Sequence, residues 1–120
     1  MIRYALLGLG IFLLRPPPAA SHAFLDHAEP RVGSTVDASP PTVTLFFTEP
    51  VEPAFSHVEL EGGDGRKAAT EPVRHPAPDR LELSLPALPP GEYTVHWAVV
   101  SVDTHPTEGR FTFTVRAARR

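Results

Sequence analysis

The chain has 120 residues, with 14 Asp and Glu against 11 Lys and Arg and a formal net charge of −3. That length holds one domain and not two, and the acidic balance argues against nucleic acid, which selects a basic face. There is no cysteine, which excludes disulfides, a lipoprotein anchor and thiolate chemistry together.

The first stretch, MIRYALLGLGIFLLRPPPAAS, has the three parts of a secretory signal. Arg3 gives the positive end, Tyr4 to Leu14 the apolar run, and Ala19-Ala20-Ser21 the small residues of a cut site. The apolar run is shorter than the roughly 20 residues a membrane-spanning helix needs, and Arg15 with three prolines stops it. An uncleaved membrane anchor is the alternative, and a cut after Ala20 would put Ser21 first. A cut after Ser21 makes 1–21 the signal peptide and 22–120 the mature domain, in a periplasmic or otherwise extracytoplasmic setting. Loss of Arg3 and Arg15 takes the formal charge from −3 to −5. Met1 is the sole methionine and leaves with the signal, so the mature chain holds no sulfur ligand. A soluble monomer is the default.

Further along, alternation with a period of two recurs between Pro and Gly breaks. AFLDHAEP (23–30) reads as a short first strand. TVTLFFT (42–48) sets Val43, Leu45 and Phe47 on one face. FSHVELE (55–61) sets Ser56, Val58 and Leu60 inward and His57 and Glu59 outward. GGDG (62–65) is a hairpin-type turn, since glycine accepts a positive φ. A weaker strand is expected within 66–74. RLELSLP (80–86) turns Leu81, Leu83 and Leu85 inward. EYTVHWAVVS (92–101) buries Tyr93, Val95, Trp97 and Val99, and RFTFTVR (110–116) buries Phe111, Phe113 and Val115. No stretch sustains a helical period, and the 15 prolines sit mostly between strands. The pattern predicts an all-β, seven-stranded, immunoglobulin-like β-sandwich.

Two stretches carry chemistry. If the cut falls before His22, that residue offers a free amine and an imidazole. In VVSVDTHPTEGRF (99–111), Asp103 and His105 are two apart, and an extended backbone would point both to one side. Pro106 biases His105 toward that backbone. Alone, D-x-H is weak, and an Asp capping a turn beside a histidine explains it as well. Together the stretches offer three nitrogens and an oxygen, a set that suits tetragonal Cu(II). Zinc favours a tetrahedral cage, often with sulfur, and Cu(I) wants sulfur donors that the mature chain lacks. Both nitrogens of a terminal histidine must be unprotonated to bind, so affinity is expected to fall as the solution acidifies.

The sequence resembles the CopC family of exported copper-binding proteins. The matching stretches are HAFLDHAEPRVGSTV, PPTVTLFFTEPVEPAFSHVEL and LPALPPGEYTVHWAVVSVDTHPTEGRFTFTV, most of the mature chain. The resemblance implies a Greek-key β-sandwich and ligation of Cu(II) by His22, Asp103 and His105. Glu49, in FTEPVEP, matches a family acid; it could be a weak axial oxygen, orient a ligand imidazole, or be a plain turn acid. The family also suggests an inner-membrane copper transport protein as partner. Some members carry a Met-rich loop for Cu(I), and nothing here matches it, so a single Cu(II) site is the reading.

His27, five residues past His22, could reach the same metal if its strand bent, but is expected to face water. His57 and His96 are expected on outward faces and His75 in a Pro-rich loop, none with a carboxylate at ligand spacing. Among functions, a Cu(II) carrier or buffer in copper homeostasis or resistance leads. A copper-dependent oxidase or monooxygenase is the alternative, since a terminal histidine also makes the histidine brace of lytic polysaccharide monooxygenases. Asp103 would occupy a position that oxygen chemistry needs open. A structural or adhesive sandwich without metal is a third reading.

Overall fold

The computed structural model describes residues 22–117. The expected signal peptide over 1–21 and the last three residues of the basic tail lie outside them.

Eight strands form two four-stranded sheets. They are β1 (Leu25–Glu29), β2 (Thr35–Val36), β3 (Thr42–Phe47), β4 (His57–Gly62), β5 (Arg74–Ala77), β6 (Arg80–Ser84), β7 (Gly91–Val100) and β8 (Pro106–Val115). One sheet runs β1-β3-β6-β5 and the other β2-β8-β7-β4. The chain crosses between sheets after β1, β2, β3, β4 and β6, which gives the Greek-key sandwich. The difference from seven strands is β2, two residues long and paired in parallel with β8. Such a short piece carries too little alternation to be read from sequence. The weak strand expected within 66–74 instead starts at Arg74. The stretch before it contributes only an isolated bridge between Glu61 and Lys67, beyond the turn at Gly62–Gly65.

The alternating apolar residues meet between the sheets. Val43, Leu45, Leu81 and Leu83 from one face Val95, Val99, Phe111 and Phe113 from the other, all buried. Trp97 is also inward and packs edge-to-face on Phe47, with ring centroids 5.4 Å apart. In its own sheet it stands between Val58 of β4 and Gly109 of β8. A Cβ at position 109 would come within 2.6 Å of the indole. The glycine is therefore what lets this ring lie flat against the neighbouring strand.

Candidate metal centre

The residues singled out from sequence collect at one end of the sandwich. His22–Phe24, which precede β1, lie across both sheets. On one side, Thr48 follows β3: its N–H donates to the Phe24 carbonyl at 2.8 Å. Its hydroxyl accepts from Phe24 N at 3.0 Å and donates to the His22 carbonyl at 3.2 Å. On the other side, the Thr107 hydroxyl of β8 donates to the Ala23 carbonyl at 2.6 Å. Ala23 between them is fully buried.

This clamp sets the His22 ring beside that of His105, with centroids 4.7 Å apart and planes at 71°. Phe24 stands on the other side of His22, at 5.8 Å.

Asp103 and His105 meet in a different way from the extended spacing expected. Residues 101–105 form a tight turn. Thr104 N donates to Ser101 O at 2.8 Å and Ser101 N to His105 O at 3.0 Å. Thr104 has φ of 71°, the left-handed region that a β-branched residue rarely adopts. The reason is the buried Ser101: its hydroxyl donates to the Asp103 carboxylate and accepts from His105 N at 3.2 Å. One serine thus ties both candidate ligands to the end of β7. Asp103 Oδ1 lies 3.3 Å from His105 Nδ1. Nδ1 is occluded and has no hydrogen-bond partner, so this approach is electrostatic. The His105 side chain as a whole is 45% exposed.

The Asp103 carboxyl is held below its ordinary pKa, first by the Ser101 hydroxyl and then by the neighbouring His105 imidazole, against an opposing desolvation. It stays an anion, the form a cation needs. Glu49 is half-buried. Thr48 before it grips the His22 segment, and the Pro50 carbonyl after it accepts from Val102 N at 3.2 Å. Among the described residues no three His, Asp or Glu side chains converge into a complete cage. The close pairs are His22 with His105 and His105 with Asp103.

The other histidines stand apart from this end. His27 is exposed and stacks on Phe46 at 4.1 Å, which turns it away from His22. Two of the four do have carboxylate partners, contrary to expectation: His27 Nδ1 with Asp26 and His96 Nε2 with Glu61, both at 2.7 Å. The second partner comes from the neighbouring strand, diagonal in the register, and no spacing along the chain reveals it. His57 is exposed on β4, and His75 Nε2 lies 3.0 Å from the Pro78 carbonyl. Thr48, Ser101 and Thr107, which hold the site together, were missed from sequence. Hydroxyl residues in strands are too common to signal such a role.

Comparison with known proteins identifies the family of the sandwich. The CopC domain model matches residues 25–116. Protein YobA of Escherichia coli K12 is 41% identical over 118 residues, 96% of this chain and 94% of that protein. Copper resistance protein C of Xanthomonas campestris pv. juglandis is 34% identical, over 82% of this chain and 83% of its own. The crystal structure of CopC from Methylosinus trichosporium OB3b superposes with a TM-score of 0.77 at 37% identity, covering 82% of this chain and 98% of that one. PcoC, a methionine-rich copper resistance protein from Escherichia coli, follows at 0.71 and 33%, covering 80% of this chain and all of its own. With the family model spanning both candidate ligands of the β7–β8 turn and nearly the whole sandwich, the chain belongs to the CopC family.

Proposed function

We propose that this chain is an exported Cu(II)-binding protein that carries or buffers copper in homeostasis and resistance. In this reading residues 1–21 are a signal peptide, 22–120 the mature domain, and the periplasm its place of work. The observation that carries it is the clamp at Thr48 and Thr107, whose hydroxyls hold the His22 segment beside His105 through its backbone carbonyls. That grip leaves the imidazole uncommitted.

The donors would be the amine and imidazole of His22, the His105 imidazole, and the Asp103 carboxylate, with Glu49 as an axial or orienting oxygen. The chemistry of the set fits a cupric ion: three nitrogens, one or two oxygens and no sulfur. Copper is cargo here, and the protein's part is to grip and release it without redox cycling. Copper resistance relatives at 34% identity support this reading, and none of the relatives described supports the oxidase alternative. An inner-membrane copper transport protein is the partner we infer, with the chain itself monomeric.

The test compares Cu(II) titrations of three proteins: one starting at His22, one with a single residue added before it, and His105→Ala. The extension and the substitution should each remove most of the affinity. Undiminished binding in both would overturn the assignment.

A further inference from the structure

Four large apolar side chains stand exposed among the described residues: Phe24, Val32, Phe55 and Val102. Singly scattered, such residues need no explanation. Three of these four are gathered at the metal end. Residues 48–55 connect them: Thr48 bonds to Phe24, Pro50 to Val102, and Glu52 to both Val100 and Phe55. Phe55 is the most exposed at 65%, on a short 3-10 helix over Pro53–Phe55. Between it and the start of β8 lies an open depression of about 440 Å³, lined by Phe55, Ala98, Val100, Pro106, Thr107 and Glu108 among others.

The charge around this collar is mostly acidic. Segments 22–25, 47–56 and 98–109 carry Glu49, Glu52, Asp103 and Glu108 and no Lys or Arg, while Arg80 over Phe46 and Arg110, two residues past Glu108, stand at its margin. We propose that this end is a docking surface for a protein segment presenting an apolar side chain flanked by Lys or Arg. The depression beside Phe55 takes the apolar side chain, and Glu52 and Glu108 face its basic neighbours. A predominantly acidic rim disfavours a second copy of this acidic chain and anionic lipid alike, and steers a basic partner into register. The proposal takes its purpose from the copper-carrier reading, since a bound ion passes on only when donor and acceptor sites touch. Its test does not depend on that reading.

The probe is an acetylated, amidated Lys-Lys-Phe-Lys-Lys peptide, titrated into ¹⁵N-labelled protein starting at His22. A Glu-Glu-Phe-Glu-Glu peptide is the control. The basic peptide should shift the amides of Phe55, Val100 and Thr107, and should weaken with added salt. Phe55→Ser should lower its affinity about ten-fold, while Val32→Ser, away from this end, should not. Equal response to both peptides, or indifference to Phe55→Ser, overturns the proposal. Concentration-dependent dimerisation abolished by Phe55→Ser assigns the face to a second copy and also overturns it. So does partition onto anionic phosphatidylglycerol vesicles. Cu(II) binding without peptide docking sinks this proposal alone. Docking by a protein that binds no Cu(II) sinks the carrier reading alone.

Discussion

The imidazole of His22 stands edge-on to that of His105, 4.7 Å away, although one precedes the first strand and the other precedes the last. Neither ring holds the other in place. Threonine hydroxyls grip the backbone of the first, and Ser101 grips the backbone of the second. Precision at the centre therefore resides in residues that would never touch a metal.

Thr107→Val tests the first grip. Valine keeps the branched shape but removes the donor to the Ala23 carbonyl. Stability should fall by about 1 kcal/mol, measured in denaturant. Cu(II) affinity should fall several-fold, because the His22 segment must then be ordered by the ion itself. Lost stability with intact affinity would show that the clamp has no positioning role.

Ser101→Ala tests the second. The serine is buried, and its removal leaves Asp103 and His105 N without their partner. A loss of about 1–3 kcal/mol is expected, with Cu(II) affinity down roughly 10–100-fold. A merely structural serine would leave the Asp103 titration alone. Carbon-13 NMR of the carboxyl should instead find its pKa moved up in the variant.

The acid limb of stability should depend on Asp103. Its folded pKa lies below the ordinary value, through Ser101 and then His105. Such a group stabilises the fold above its unfolded pKa, and the contribution is lost as pH falls through the folded one. In apo protein, the stability gap between wild type and Asp103→Asn should be full above the ordinary carboxylate range and close below it. Urea denaturation at a series of acid pH values measures the gap, and one constant with pH would contradict the assignment.

Gly109→Ala should destabilise through the core. The added methyl would sit 2.6 Å from the Trp97 indole. Overpacking of this kind costs about 1–3 kcal/mol. Trp97 is the only tryptophan, so its emission during guanidinium unfolding reads both the shift in midpoint and any displacement of the ring.

Much of this was legible in the residues. Strand faces followed from alternation because each sheet has one wet and one dry side, so Val43, Leu45, Trp97 and Phe113 all fall inward as expected. His105 and Asp103 could be picked out because, though weak alone, they complete with His22 a set of three nitrogens and an oxygen. How they meet was not legible. The extended spacing gave way to a turn because the Ser101 hydroxyl donates to Asp103 while accepting from His105 N, and a hydroxyl's partners depend on the fold around it. The two-residue β2 was equally hidden, since it exists only by pairing with β8.

Ala23 has no accessible surface at all. Its methyl is enclosed on every side while its carbonyl is taken by Thr107. A bulkier neighbour at that position would lever the preceding imidazole outward and widen the gap to the second ring. The reach of the site is thus gauged by a side chain with no polar atom, and evolution could retune the grip by adding a single carbon there.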